Sequence, residues 1–408
     1  MARSRKDSRG YALRTGESQR KDGRYSFSYT DKRKKRHIVY AATLVDLRKK
    51  EKSILRDLED GIDPSKADYI TINEVFDLYM KLKHNLKETT RNNYLYMYNH
   101  FVRDGFGKNK ISKIKYTDIV DYYYSIILED QMKASTLEGI NTLLHPTFQL
   151  AVRDGIIRVN PTTGVMSEIK RSNVWNKEKR VALTIDQQRA FVNYLNDSKD
   201  FLGWKPVLTV LLGTGMRIGE CLGLRWTDLD FEKRMISVNH TLCYACIPDR
   251  EGNKIINTTK TESGNRTIPM IDEVYDAFLE EYTFQSITGF CHEKIDDYEG
   301  FVFASATGNV LLASEVNKAI SRIVTSYNKE EKEVANKEKR EPTLLPEFSA
   351  HILRHTFCTR FCENETNVKV IQTIMGHSDI KTTLDIYADV TDDKKQEVLL
   401  SIQNKIFC

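Results

Sequence analysis

The last quarter of the chain decides how the rest is read. It runs Ser349-Ala-His-Ile-Leu-Arg-His-Thr356, then Met375-Gly-His-Ser378, then Asp385-Ile-Tyr387. His351 and Arg354 stand three apart in a stretch where Leu353, Phe357 and Phe361 recur every four residues. On a helix that spacing puts the apolar side chains on one face and His351 and Arg354 together on another, with His355 next to them. Val368 to Met375 also reads as helix, and Gly376 stops it so that His377 falls on a turn. Ten residues later comes Tyr387.

Imidazoles, a fixed guanidinium and a phenol are what phosphoryl transfer through a tyrosine requires. The phenol attacks, the guanidinium holds non-bridging oxygens bidentately, and the imidazoles donate to or move protons around the phosphorus. Singly, each residue has a plainer reading: a structural histidine, a surface arginine, one of 20 tyrosines. In this order and spacing they resemble the active-site half of the tyrosine recombinases, the phage and conjugative-transposon integrases. That family carries a second arginine upstream in a Thr-Gly-x-Arg-x-x-Glu segment, and this chain has Thr214-Gly-Met-Arg-Ile-Gly-Glu220. It also carries a lysine at a hairpin turn, and Thr259-Lys-Thr-Glu-Ser-Gly-Asn-Arg-Thr-Ile-Pro269 supplies Lys260. The resemblance therefore implies a catalytic set of Arg217, Lys260, His351, Arg354, His377 and the nucleophile Tyr387.

The same resemblance implies the chemistry. Tyr387 attacks a backbone phosphate, giving a 3′-phosphotyrosine and a free 5′-hydroxyl. Arg217 and Arg354 clamp the non-bridging oxygens, His351 manages the phenol proton, and Lys260 protonates the leaving oxygen. His377 is a hydrogen-bond donor or a proton shuttle. No phosphate-cradling glycine loop and no carboxylate cluster for a two-metal site occurs, so neither ATP nor metal is expected. Two rival functions share parts of this pattern: a type IB topoisomerase, and a DNA-binding regulator with a vestigial site.

Length and composition bound the reading. At about 150 residues per domain, 408 residues suggest two to three domains. No apolar run approaches the roughly 20 residues of a membrane helix, and the basic N-terminus lacks the apolar core of a secretory signal. Seven cysteines scattered among helical segments suit reduced thiols in a bacterial cytoplasm. Cys243-Tyr-Ala-Cys246 is a CxxC with His240 three residues earlier, but no second ligand pair follows at zinc spacing.

The net charge of +5 conceals an asymmetry. Residues 1–56 hold 18 Lys and Arg against 6 Asp and Glu, so +12, and the remainder is −7. Such a segment contacts phosphates or is merely a solvated tail. Period-two alternation in Arg24-Tyr-Ser-Phe-Ser-Tyr-Thr30, a basic turn Lys32-Arg-Lys-Lys-Arg36, a returning His37-Ile-Val-Tyr40 and a helix over 49–59 favour the first. They resemble the arm-site DNA-binding domain of conjugative-transposon integrases, where a three-stranded sheet enters the major groove. Arg20, Lys21, Arg24, Lys32, Arg33, Lys34, Lys35 and Arg36 are the expected DNA contacts.

From Thr71 to about Ile169 the spacing is helical throughout, with Leu137, Ile140, Leu144, Phe148 and Ala151 as one stripe. The cluster Tyr94, Tyr96, Tyr98, Tyr122, Tyr123 and Tyr124 reads mainly as packing. Glu220 reads as the partner of Arg217 or of an adjacent donor, an ordinary surface pair being the plainer alternative. Ile255–Lys260 and Arg266–Met270 read as the two strands of a hairpin with Lys260 beside its tip.

The expected fold is α+β and multidomain. A small N-terminal β-sheet arm-binding domain (1–63) precedes an all-helical domain (64–170), the core-binding domain as the resemblance implies, and a linker (171–179) expected to cross the DNA. A mainly helical catalytic domain with a small antiparallel sheet (180–408) follows. Its tail helix carries an apolar stripe, Val398, Leu399, Ile402 and Ile406, which packs on its own domain or, as the resemblance implies, docks on the next protomer. Expected partners are double-stranded DNA at core and distal arm sites, three further copies in a synaptic homo-tetramer, and accessory DNA-bending or directionality proteins, with no membrane.

Overall fold

The computed structural model describes residues 5–30, 34–60, 69–129, 131–175, 181–244, 253–258, 264–365, 367–377 and 379–386. Lys32, Arg33, Lys260, Tyr387 and the stripe from Val398 to Ile406 lie outside the described residues. The chain divides into two compact units, Met1–Glu178 and Lys179–Cys408.

The first unit opens with an antiparallel sheet of β1 (Glu17–Gln19), β2 (Tyr25–Thr30) and β3 (Arg36–Ala41), in that order. Period two explains it: Tyr25, Phe27 and Tyr29 turn inward and form one core with Leu47 and Ile54 of helix α1 (Leu44–Glu59). The intervening rungs, Ser26 opposite Tyr40 and Ser28 opposite Ile38, occupy the other face. Helix α1 starts five residues before the expected position because Thr43 caps it, its hydroxyl accepting from the Asp46 N–H at 3.1 Å.

The rest of this unit is helical: α2 (Ile72–Leu82), α3 (Glu88–Tyr98), α4 (Tyr116–Leu128), α5 (Ala134–Arg153) and the short α6 (Val165–Ile169). A capping box of Thr71 and Glu74 starts α2. All five residues of the anticipated α5 stripe are buried, and Gly155 beyond the helix takes the left-handed φ of 65°. Tyr98 and Tyr123 are core residues, Tyr98 stacking on Phe76 and donating its hydroxyl to Asn73 Oδ1 at 3.0 Å. Tyr96 departs from the packing expectation: it is exposed and stacks on His100 instead. At the start of the expected linker, Trp175 packs on this core with the Lys170 ammonium 5.5 Å from its ring centroid.

The second unit begins with α7 (Ile185–Asp197), α8 (Lys205–Thr214) and α9 (Ile218–Gly223). The strands β4 (Leu229–Asp230), β5 (Met235–Val238), β6 (His240–Tyr244), β7 (Lys254–Thr258) and β8 (Arg266–Pro269) follow. Then come α10 (Asp272–Thr288), α11 (Ala313–Glu338), α12 (Ala350–Asn364) and α13 (Val368–Met375). Its core joins Val207 and Leu211 of α8 to Ile236, Ile268, Phe278, Ile320 and Leu353.

The strands correct one expectation. Among the described residues β7 and β8 do not pair with each other: β7 pairs with β6, while β8 pairs with β5 beside β4. The described parts of β7 and β8 thus belong to two separate ladders rather than to one hairpin. Alternating residues specify a strand and its buried face, but they do not specify its neighbour. The Lys/Glu-rich stretch continues α11 to Glu338 and folds back, Asn328 exchanging two hydrogen bonds of 2.8 Å with Leu345. Among the described residues no helix is long and apolar enough to cross a membrane.

Candidate active site

The site is assembled from two chain reversals. Helix α8 ends at Gly215, whose φ of 62° and whose packing both demand glycine, since a Cβ there would run into the Phe357 ring. Two residues on, Arg217 is the N-cap of α9. Glu220, one turn into that helix, accepts from the Arg217 backbone N–H at 2.9 Å and from its Nη1 at 2.7 Å. The second reversal is Gly376, left-handed at φ 63°, which closes α13 and leaves His377 behind it.

Arg217 and Arg354 meet on these reversals. Arg217 donates Nη2 to the Gly376 carbonyl at 3.0 Å and stays half-exposed. Arg354, on α12, is buried: Nη1 donates to the Gly215 carbonyl at 2.6 Å and Nη2 to the Met375 carbonyl at 2.7 Å. Of the face expected to carry His351, Arg354 and His355, only Arg354 is buried, with Thr356, Cys358, Cys362 and Leu353 of the same helix also buried. His351 lies exposed at the start of α12. His377 follows the Gly376 turn as expected, and it is buried, with Nδ1 2.9 Å from the Thr383 hydroxyl.

Two residues of this cluster, Arg266 and Thr383, escaped the sequence reading. Glu220 pairs with Arg217 as expected, but it is buried rather than at the surface, and its second cation is Arg266, whose Nη2 donates to Oε2 at 2.8 Å. Arg266 opens β8, and its only sequence signal was a charged residue alternating with Ile268 on the buried side of a strand. Thr383 left no signal beyond its closeness to His377 in sequence.

The electrostatics follow from three guanidiniums around one carboxylate. Burial alone would push the Glu220 carboxyl up, but hydrogen bonds and charge from Arg266, with Arg217, outweigh it and hold the group at about 2. Burial, then the neighbouring Arg217 and Arg266, lowers Arg354 to about 9. His377 falls to about 4, through burial first and then the charges of Arg354, Arg217 and Arg266. Carbonyls of Gly215, Ile374, Met375 and Gly376 accept from the guanidiniums but cancel no net charge. A buried surplus of positive charge with a neutral imidazole at its edge is a receptor for an anion that carries charge on several oxygens.

Elsewhere the candidates separate. His240 is occupied structurally: its Nε2 pairs with the Gly223 carbonyl at 2.6 Å, which makes that nitrogen the protonated one. Among the described residues no group of three or more His, Cys, Asp or Glu side chains could hold a metal ion. In the N-terminal sheet Arg20, Lys21, Arg24, Lys34, Lys35 and Arg36 are exposed. Asp22 anchors Arg24 at 2.8 Å and Arg20 at 3.4 Å, and Arg20 lies 5.1 Å from the Tyr40 ring centroid. Tyr40 and Ile38, exposed on the open sheet face, were not among the expected contacts.

Comparison with known proteins accounts for every segment. Residues 182–394 match the phage integrase family, residues 1–62 the DNA-binding domain of Tn916 integrase, and residues 71–127 the N-terminal SAM-like domain of phage integrases. The transposase from transposon Tn916 of Enterococcus faecalis is 30% identical over 406 residues, covering 96% of this chain and 95% of that protein. A XerC-like tyrosine recombinase of Caldanaerobacter subterraneus is 25% identical, covering 90% and 92%. The solved structure of the Tn1549 transposon integrase in complex with transposon right end DNA superposes with a TM-score of 0.71 at 30% identity, covering 82% of this chain and all of that one. The chain thus belongs to the phage integrase family of tyrosine recombinases, on the full-length likeness as much as on the site.

Proposed function

We propose that this site-specific recombinase of a mobile element cuts and rejoins DNA through a 3′-phosphotyrosine at Tyr387. The observation that carries the reading is the meeting of Arg217 and Arg354, 137 positions apart, on adjacent carbonyls of the Met375–Gly376 turn. Two guanidiniums so held face one phosphate without needing to reorganise as its charge develops. The Tyr387 oxygen attacks phosphorus, its proton passes to His351, and the bond to the 5′-oxygen breaks as Lys260 protonates it. In the second step a 5′-hydroxyl from the partner duplex attacks the same phosphorus and releases the phenol. Bond energy is kept in the phosphotyrosine, so the cycle needs neither ATP nor metal.

Of the two roles open to His377, the donor role is favoured. A buried imidazole held neutral down to about pH 4 has no proton to give as an acid near neutrality, yet its ring N–H still hydrogen-bonds a phosphate oxygen. The DNA partner offers core sites to the helical and catalytic parts and separate arm sites to the N-terminal sheet. Four copies make the synapse, DNA-bending or directionality proteins assist it, and the reaction takes place on DNA in a bacterial cytoplasm.

The direct test is Tyr387→Phe on a nicked suicide duplex. Binding should persist and the covalent adduct should vanish, because only one oxygen is lost. An adduct surviving SDS in the Phe variant would assign the nucleophile elsewhere. A two-site exchange assay separates this reading from topoisomerase-like relaxation, which swaps no strands between duplexes.

A further inference from the structure

Arg266 has no part in the reaction as described, yet it sits at the centre of the cluster. It is the first residue of β8, opposite Val238 of β5, and its side chain is almost wholly buried. Its donors are taken: Nε by the Ile374 carbonyl at 2.8 Å, Nη2 by Glu220 Oε2 at 2.8 Å, and Nη1 by Glu220 Oε1 at 3.3 Å. Its planar head lies against Gly376, where an added Cβ would come within 2.8 Å of Nη1 and 3.0 Å of Cζ. Glu220 is equally committed, both oxygens shared between Arg266 and Arg217.

A buried ion pair is a poor device for stability alone, since apolar residues of similar volume generally serve as well. What this one supplies is geometry. The planar fork fixes the Glu220 carboxylate in one orientation, and that carboxylate in turn holds both the backbone and the Nη1 of Arg217. Through Nε the same fork fixes the last turn of α13, one residue before the two carbonyls on which Arg354 and Arg217 rest. The start of β8, α9 and the Gly376–His377 turn are thereby tied at one point.

We propose that Arg266 is a positioning residue for the phosphate clamp: it sets Arg217 through Glu220 and sets the Gly376–His377 turn through the Ile374 carbonyl, without touching DNA. This rests on the reading of Arg217 as a phosphate clamp.

The test compares full-length parent, Arg266→Met, Arg266→Lys, Arg217→Ala and Tyr387→Phe in single-turnover cleavage. Two suicide duplexes are used, one with a normal scissile phosphodiester and one with a neutral methylphosphonate at that position. A misplaced clamp costs most where charge must be held, so Arg266→Met should cleave the phosphodiester about a hundredfold more slowly than the parent. Its deficit on the methylphosphonate should be at least about tenfold smaller, and Arg217→Ala should show the same asymmetry, because the clamp's charge has nothing to hold there. In the Arg217→Ala background, Arg266→Met should slow cleavage by much less than it does in the parent, since only the Gly376–His377 turn is then left for Arg266 to set. Arg266→Lys, which keeps the charge but cannot bridge Glu220 and Ile374 together, should fall between and serves if the Met variant fails to fold. Equal losses on both duplexes, or parental cleavage by a folded Arg266 variant while Arg217→Ala is impaired, would overturn the positioning role. Failure of the underlying reading looks different: Arg217→Ala would then cleave like the parent, or Tyr387→Phe would still form adduct.

Discussion

At the scale of single residues the cluster separates three arginines by what they leave unspent. Arg354 is buried and gives Nη1 and Nη2 to two backbone carbonyls, whereas Arg217 is half-exposed. Alanine at either should slow single-turnover cleavage by at least about a hundredfold, the scale of losing a preorganised donor. Their stabilities should diverge. Arg354→Ala strands the Gly215 and Met375 carbonyls in the interior and should lower the melting temperature clearly more than Arg217→Ala, which calorimetry of both variants would check. Similar melting temperatures would mean that the Arg354 contacts contribute nothing to folding. His377 gives a pH prediction. Its folded pKa of about 4 lies below the ordinary 6.5, so the unfolded chain binds more protons between those values and stability falls as pH drops through that window. Glu220, at about 2 instead of 4.5, extends the loss further into acid. Above pH 6.5 neither group changes stability. The cleavage rate should accordingly show no His377 ionisation between pH 6 and pH 8, and an inflection near 6.5 present in the parent but absent from His377→Gln would refute the donor role. Arg217, Arg354 and His377 are legible through the family resemblance, which rests on short local motifs. The sequence left Arg266 and the burial of Glu220 illegible because the partners are 46 positions apart, and nothing local distinguishes a buried strand arginine from a solvated one.

At the scale of elements, helices were the easier part. Val368–Met375 coincides with its expected span, and Thr184 with Gln187 forms a capping box at the start of α7. Each is written within one turn of chain. The β7–β8 hairpin was misread because pairing is a choice among partners: Arg266 and Ile268 are buried against β5, so β8 joins that ladder instead. The reversals that place the site are more exacting than the helices they end. Gly376→Ala should be destabilising twice over, by about 1 kcal/mol or more for an L-residue in left-handed backbone and again through pressure on the Arg266 guanidinium. Gly155→Ala serves as control: it is also left-handed, at φ 65°, but belongs to the other unit, far in sequence from the clamp. Chemical denaturation should show a loss for both, while single-turnover cleavage under conditions where both remain folded should fall only for Gly376→Ala. Unaltered cleavage by a folded Gly376→Ala protein would mean that the turn tolerates displacement and that the clamp is less tightly set than its hydrogen bonds suggest.

At the scale of the whole molecule the charge is distributed by task, +12 over residues 1–56 and −7 over the rest. The open face of the N-terminal sheet exposes Tyr40, Ile38 and Arg36, with Ser28 partly exposed and Ser26 buried beside them. A face of that kind can approach base edges, with cations at its margins for the phosphates. Charge and alternation made the sheet legible, but the role of its open face depends on which side α1 covers, and only the packing of Tyr25, Phe27 and Tyr29 decides that. A fragment lacking residues 1–63 should therefore keep core-site binding and cleavage and lose a separate arm site. The arm-site contribution should also carry the salt signature of phosphate contacts. Each phosphate neutralised adds about −0.9 to the slope of log affinity against log salt, so four to six contacts give roughly −4 to −5. Within the arm, Tyr40→Ala removes the ring beside which the Arg20 guanidinium lies, and Arg20 then keeps only its long contact with Asp22. Arm-site affinity should fall by about tenfold, the scale of one cation–π pair and its ordering. The salt slope should change by less than about one contact, since Arg20 keeps its charge. Core-site cleavage should stay as in the parent. An equal loss at core sites, in the fragment or in Tyr40→Ala, would mean that one DNA footprint is shared by the whole chain and that the N-terminal sheet has no site of its own.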